Sequence, residues 1–346
     1  MESQSAEPTA ATAATATAEL TRLIDLATPF AVRTAVTLRL PELVAKGTTG
    51  LDGLAEASGA HQESLGRLMR HLVGVGLFAE TTPGTYGLTG LSRQLLSEDS
   101  TWYRGWLNLE SPGTRMDLAF TGMLHSIRTG ESAYGTVHGT PFWQEYEQDS
   151  DLRGFFCGVM AAFAWQTGPV LATEFDWSGV RTVIDVGGGI GALLAEVVRV
   201  NTHLQGEVLD LPPVAPEAEE ALGRAGVADR AQFVPGSFFD PLPAGRDVYV
   251  VSRVLTDWND ENAKLILRRC AEAAGADGRV LIVEVLAGDD HAKRNASFDL
   301  QSLVLLGGQE RTVQDFEVLA GAAGLRVARS RSWPGGLVVV ECAAAR

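Results

Sequence analysis

Cysteine is scarce. The 346 residues hold three, Cys157, Cys270 and Cys342, far apart and without Cys-x-x-Cys or Cys/His spacing. That argues against a disulfide framework or a zinc site, so no metal is expected, and it fits a reducing, cytoplasmic setting. Basic charge is short too: 28 Lys and Arg stand against 43 Asp and Glu, for a net charge of −15, and no Lys/Arg cluster stands out. Neither nucleic acid nor an anionic membrane is therefore an expected partner. No uninterrupted apolar run reaches the ~18 residues of a membrane span, so none is expected. The opening MESQSAEPTAATAATATAEL lacks the basic region and apolar core of a secretory signal. Its low-complexity Ala/Thr composition predicts a disordered tail over residues 1–16.

What remains has the composition of a globular protein, with room for two domains. Residues 17–100 carry helical spacing broken at Pro29 and Pro41, then two short helices joined at Gly59. Two short strands follow around Pro83-Gly84. Helix-turn-helix plus hairpin is a winged-helix shape. Its second helix offers only Arg67, Arg70 and His71 as basic groups, so dimerisation is a better use than DNA binding. Residues 101–176 are helical and rich in aromatics, among them Trp106, Trp143, Tyr146, Phe155, Phe156, Phe163 and Trp165. Such rings are core or the wall of a pocket for a flat aromatic ligand. Residues 177–346 alternate strand and helix with nearly continuous apolar strands, and close on a hairpin across Pro334-Gly335-Gly336. This predicts an α/β domain whose buried sheet is mainly parallel.

The strand–helix junction VIDVGGGIGALL holds Gly187, Gly188, Gly189 and Gly191. Glycines let a backbone turn tightly and approach a ligand. Gly187-x-Gly189-x-x-Ala192 satisfies a dinucleotide fingerprint. Asp185-x-Gly187-x-Gly189-x-Gly191 instead resembles the first motif of S-adenosylmethionine methyltransferases. Asp185 favours the second reading: a carboxylate two residues before the loop suits a cationic ligand better than a pyrophosphate. Asp210 ends the next strand, where a carboxylate can accept ribose hydroxyls in either kind of site.

LATPFAVRTAVTLRL, LAFTGMLHSIRTGESAYGTVHGTPFW, VIDVGGGIG, GSFFDPLP, VLTDWNDENAKLILRRC and GGQERT together resemble bacterial small-molecule O-methyltransferases of the caffeate type. The nearest resemblance is to aromatic-polyketide tailoring enzymes such as carminomycin 4-O-methyltransferase and aclacinomycin 10-hydroxylase. It implies a class I, Rossmann-like methyltransferase domain with a C-terminal β-hairpin, a helical winged-helix dimerisation domain, a homodimer, and S-adenosylmethionine as donor. Carried over by motif, Asp185, Gly187, Gly189, Asp210 and Leu211 should line the donor site. Ser237 and Phe238 should lie at the adenine, with Ser252 and Arg253 beside the cofactor. Trp258 either flanks the adenine or packs in the core. Trp106, Phe155, Met160, Trp165, Gln301 and Leu303 are the expected substrate contacts.

One position departs from the pattern. Many relatives carry a histidine base where this chain has Thr256, and Glu284 and Glu310 match the acids that orient it. A threonine hydroxyl is no base near neutrality. His125 and His138 are the other histidines that could reach the pocket. Orientation can supply ~7–11 kcal/mol of a barrier, whereas general acid–base help is worth ~10²–10⁴-fold, roughly 3–5 kcal/mol. The expectation is therefore methyl transfer by proximity to an acidic aromatic hydroxyl, with Thr256, Asp257 and Glu310 nearest the chemistry and Asp257 or water taking the proton. Two alternatives stay open: methylation at carbon or nitrogen, and a non-methylating hydroxylase or decarboxylase that holds the same cofactor.

Overall fold

The computed structural model describes residues 10–96, 101–286, 290–334 and 336–345. It divides into two compact units at Thr114/Arg115. The first contains α1 (Ala10–Leu23), α2 (Ala27–Thr37), α3 (Leu40–Ala45), α4 (Leu51–Ser58) and α5 (Gln62–Gly74). The hairpin β1 (Phe78–Thr82) and β2 (Thr85–Leu88) follows, then α6 (Gly90–Gln94) and α7 (Thr101–Leu107). Leu40, Leu54, Leu65, Met69, Leu72 and Phe78 form its core. The left-handed Gly59 ends α4, and β1 pairs antiparallel with β2, so the winged-helix shape is present. Two boundaries differ from the sequence reading. Residues 1–9 of the expected tail lie outside the described residues, but 10–16 open α1, as alanine's high helix propensity allows. Helix α7 groups with this unit rather than with the aromatic segment.

After α8 (Gly113–Leu118), which spans the boundary, the second unit runs through α9 (Met123–Thr129), α10 (Tyr134–His138), α11 (Phe142–Gln148) and the long α12 (Ser150–Glu174). Its α/β part follows in the order β3 (Thr182–Val186), α13 (Ala192–Val200), β4 (Gln205–Asp210), α14 (Ala215–Arg224), β5 (Ala231–Pro235), β6 (Val248–Ser252), α15 (Asp260–Ala274) and β7 (Arg279–Val285). The chain closes with α16 (Asp290–Leu306), α17 (Val313–Ala322), β8 (Leu325–Ser332) and β9 (Leu337–Ala344). The sheet order is β5-β4-β3-β6-β7-β9-β8. The first five strands are parallel. The returning β9 inserts antiparallel between β7 and β8.

Successive strand residues point to opposite faces, and both faces are covered. Ile184, Tyr249, Val251 and Ile282 pack with Ile266, Leu267 and Cys270 of α15 and Phe316 and Leu319 of α17. Val183, Val208, Val250 and Leu281 pack with Leu171 of α12 and Leu193, Leu194, Val197 and Val198 of α13. β3 pairs on one side with β4 and on the other with β6. This is the point where strand order reverses, and a crevice opens at the carboxyl ends of the strands.

Two helices correct the sequence reading. α12 is long and apolar enough, by length and composition, to cross a membrane, because the stretch after Arg153 is interrupted only by uncharged polar residues. In the fold, part of its surface is core: Leu171 packs with α13 and Gly168 sits against Glu196 and Leu193. α16 has no counterpart in the sequence reading. Its apolar end is buried at Val304 and Leu305. It is held where the Ala133 N–H donates to the Val304 carbonyl (2.9 Å) and Ser132 Oγ to that of Leu305 (2.6 Å).

Candidate active site

The loop after β3 is built on backbone that only glycine adopts comfortably. Gly187 has φ +75° and Gly191 +77°. A Cβ at Gly187 would meet Val254 at 2.8 Å, and one at Gly191 would meet Val208 at 2.8 Å. The turn is fixed by the Gly187 N–H donating to Leu209 O (2.8 Å) and the Gly189 N–H to Asp210 Oδ2 (2.7 Å). The Leu211 N–H donates to Asp210 Oδ1 (2.7 Å). Asp185 differs from Asp210. It is 1% exposed, and neither carboxylate oxygen has a hydrogen-bond partner among the described residues. Burial and the nearby Asp210 charge push it up to about 7. A buried acceptor without a donor is costly, so this side chain is arranged for something that brings a donor or a positive charge.

Both aspartates face a cavity of about 210 Å³. Its floor is the glycine loop with Leu211, Ser237, Phe238, Ser252, Arg253 and Asp257, and Trp258 and Trp143 add aromatic walls. The two indoles stack at 5.7 Å with 13° between their planes. α12 contributes Phe156, Cys157, Met160, Ala161, Phe163, Ala164 and Thr167. Cys157 shares a 3.2 Å hydrogen bond with Tyr146, and burial pushes its thiol up to about 11, so it stays neutral.

The far side is polar and strained. Arg253 has φ +55°, an uncommon conformation for a residue with a side chain. It is the only Lys or Arg among the described residues lining the cavity. Its Nη1 meets Glu284 Oε2 at 3.2 Å. Glu284, 1% exposed, also accepts from the Thr256 N–H at 3.3 Å. Thr256 is 5% exposed and its Oγ1 is buried without a partner among the described residues. Burial pushes Asp257 up to about 8, with Glu284 adding to the effect and Arg253 opposing it. Glu310 is pushed up to about 7, also chiefly by burial.

Residues 120–326, more than half of the chain, match an O-methyltransferase domain, and residues 11–98 match an O-methyltransferase dimerisation domain. The chain belongs to the O-methyltransferase family. It is 46% identical over 308 residues to the 2,7-dihydroxy-5-methyl-1-naphthoate 7-O-methyltransferase of Streptomyces carzinostaticus, covering 89% of this chain and 92% of that protein. It is 38% identical to the aclacinomycin 10-hydroxylase of Streptomyces purpurascens, covering 90% and 85%. Among solved structures it resembles an O-methyltransferase from neocarzinostatin biosynthesis crystallised with S-adenosylmethionine and 2-hydroxy-5-methyl naphthoic acid. That match has a TM-score of 0.86 and 42% identity, over 94% of this chain and 98% of the other.

In this O-methyltransferase all ten residues expected at the cofactor line the one cavity: Asp185, Gly187, Gly189, Asp210, Leu211, Ser237, Phe238, Ser252, Arg253 and Trp258. Of the three expected at the chemistry, Asp257 lines it, while Thr256 and Glu310 do not. The substrate expectations fare less evenly. Met160 lines the cavity, but Phe155, Gln301 and Leu303 do not. Trp165 is 72% exposed and borders a separate groove. The reason is helical phase: Phe156, Met160, Phe163 and Thr167 recur at three- and four-residue spacing on one face of α12, and residues 155 and 165 fall off it. Counting that phase would have found them. Trp106 belongs to the first unit, on α7. His138 Nε2 donates to the Arg115 carbonyl at 2.8 Å, and His125 lies by Thr129 and Glu131. Neither lines the cavity. Sequence reasoning missed Arg311 altogether. At 2% exposure, it donates to the carbonyls of Leu255 (2.6 Å) and Trp258 (2.8 Å) and to Asp260 Oδ1 (2.9 Å).

Proposed function

We propose that this enzyme methylates an acidic phenolic hydroxyl of a fused aromatic natural product in antibiotic biosynthesis, with S-adenosylmethionine as donor and S-adenosylhomocysteine as product. The observation that carries the reading is the unpartnered Asp185 carboxylate in the cavity wall, because an ammonium or sulfonium ligand satisfies it and a dinucleotide pyrophosphate is repelled by it. Asp185 would face the cationic methionine end, the loop backbone would approach it, and Asp210 would take the ribose hydroxyls. Phe238 and Trp258 would hold the adenine, with Ser237 offering an uncharged hydroxyl. When bound, the donor supplies an activated methyl group. Arg253, Asp257 and the α12 rings then orient the acceptor and keep water away. The 46% identical relative acts, by its name, on a dihydroxynaphthoate, which supports a flat, acidified acceptor here.

We read the enzyme as a cytoplasmic homodimer. The match to a dimerisation domain supports this, as do the exposed Leu20, Leu23, Ile24 and Leu26 at the N-terminal helices, since exposed apolar patches mark contact surfaces. The three cysteines, free and buried, fit a reducing compartment. A second reading rests on Thr256 together with the aclacinomycin 10-hydroxylase relative: a tailoring enzyme that holds the same cofactor without methyl transfer. Calorimetry with S-adenosylmethionine, S-adenosylhomocysteine and NADH, followed by assay of S-adenosylhomocysteine release with hydroxynaphthoates, separates these readings. Uptake of NADH alone rules out both. Uptake of the sulfonium without turnover on any aromatic hydroxyl favours the second.

A further inference from the structure

We propose that the Arg253 guanidinium holds the acceptor oxygen as an anion, so that the site selects hydroxyls that bind already ionised. This rests on the O-methyl-transfer reading above and narrows its acceptors to aromatic hydroxyls acidic enough to enter as phenolates. Arg253 is the only Lys or Arg among the described residues lining the cavity. Its backbone sits at φ +55° just past β6, with its N–H donating to the Val283 carbonyl at 3.0 Å. Glycine would hold that turn without strain, so the strain is tolerated for the side chain. One arm of the fork is fixed, Nη1 on Glu284 Oε2 at 3.2 Å. Nε and Nη2 have no hydrogen-bond partner among the described residues, and the side chain keeps 21% exposure. A guanidinium pinned by one arm, with donors to spare on a cavity wall, suits an anionic oxygen.

Its position favours the acceptor over the donor. The charges facing Arg253 are Asp257 from the turn after β6, Glu284 from β7 and Glu310 from the loop before α17. Burial favours the neutral form of each, so together they offset the guanidinium less than three free carboxylates would. Asp185 and Asp210, which would meet the cationic and ribose parts of the donor, lie beyond its reach: Asp185 is affected by Asp210, and Asp210 by the Leu211 and Gly189 N–H groups. No histidine is among the described residues lining the cavity, so a cation that lowers the hydroxyl's own proton affinity takes over part of a base's task. On binding, the O–H bond breaks and its proton leaves to solvent. The phenolate oxygen then bonds to the methyl carbon as the sulfur–methyl bond breaks, leaving a neutral ether and a neutral thioether. The oxygen's charge falls as that bond forms. The gain is therefore a larger ionised fraction near neutrality, offset in part by weaker attack.

The test is an absorbance titration of a hydroxynaphthoate, its hydroxyl not adjacent to the carboxylate, bound with S-adenosylhomocysteine. The thioether carries no sulfonium charge, so a lowered ionisation is the protein's doing. In wild type the hydroxyl should ionise about one to three pH units lower than in free solution. Arg253→Met keeps an unbranched side chain without the charge and should abolish that lowering, while Arg253→Lys should keep part of it. In turnover, Arg253→Met should lose about 10-fold in kcat at pH 7 but less than about 3-fold at pH 9.5, where the hydroxyl begins to ionise unaided. The S-adenosylmethionine Kd should stay within about 2-fold. A wild-type hydroxyl that ionises no lower than in solution, or a loss equal at both pH values, overturns the proposal. So does a loss that tracks weaker donor binding, which would place Arg253 on the donor's carboxylate. Arg253→Met strands the buried Glu284, so if it does not fold, Arg253→Met/Glu284→Gln removes the pair together and decides in the same way. Failure of wild type to consume the donor would sink the methyl-transfer reading and this proposal with it, whereas turnover of a hydroxyl that ionises no lower than in solution overturns the proposal alone.

Discussion

The two ends of the cavity handle charge in opposite ways. At the β3–β4 end, Asp185 and Asp210 lie close enough for one charge to raise the other, with no cation among the described residues of the wall there. At the β6–β7 end, Glu284 sits against Arg253, and the left-handed backbone of that arginine is held by its N–H on the Val283 carbonyl at 3.0 Å. The first end lacks a positive charge and the second brings its own. A cationic ligand completes the first, while the second sets the carboxyls of Asp257, Glu284 and Glu310 near one arginine. This asymmetry suits the sulfonium donor and phenol acceptor of the proposed reaction.

The largest expected effect comes from filling the cationic end. Gly187→Val puts a branched side chain at φ +75° and against Val254. Donor binding should weaken by more than about 100-fold, since strain and overpacking each cost roughly 1–3 kcal/mol. Calorimetry measures this, with circular dichroism confirming the fold. A variant that binds normally would show that the ligand does not enter over this loop.

Next is Asp185→Asn. Two observables should move in opposite directions. Donor affinity should fall about 10- to 100-fold, the worth of a charge-assisted contact. The ligand-free protein should become more stable, because a buried, unpartnered carboxyl is replaced by a neutral group of the same shape. Thermal unfolding with and without S-adenosylmethionine reads both. A fall in both would make Asp185 a structural residue.

The same carboxylate gives a smaller effect with pH. Its folded-state value, about 7, lies above the ordinary aspartate value. The unfolded chain therefore releases this proton at lower pH than the folded one. Ligand-free stability should decline as pH rises from about 4 to 7, by up to about 1.4 kcal/mol per unit from this group, and level off above. Donor binding requires the ionised form, so affinity should drop by up to about tenfold for each unit that pH falls below 7. Proton release on binding at pH 6.5, seen as a dependence of the calorimetric heat on buffer ionisation enthalpy, checks the sign. Asp185→Asn should abolish it.

The sequence exposed these two ends unequally. The β3–β4 end is made by a contiguous glycine motif and the end of the next strand, so Asp185, Gly187, Gly189 and Asp210 could be named from the resemblance of that motif, and the parallel sheet from its apolar strands. The β6–β7 end is assembled from four separate segments, and the partners of Glu284 and Glu310 are set by tertiary packing that no local period encodes. Arg311 is the clearest case. In sequence it is an ordinary arginine after a glutamate, and only the fold shows it buried and bonded to two carbonyls of another loop. α12 was half legible: its aromatics signalled a pocket wall, but choosing Phe163 over Trp165 required the phase of the helix. α16 was missed because a polar first half hides the apolar end that anchors it.

The smallest expected effect is the most informative about the missing imidazole. Thr256→His should change kcat at neutral pH by less than about 3-fold, because a general base adds little to a step dominated by orientation. The site is tight: Thr256 is 5% exposed and Gly308 presses on its backbone. The larger ring should therefore cost about 1–3 kcal/mol in stability, visible as a lowered Tm. If instead kcat rose by tens of fold near pH 7 with the donor Kd unchanged, proton removal would be the slow event in the native enzyme. The contrast between the two ends would then describe binding only, since the second end would not be equipped for its part of the chemistry.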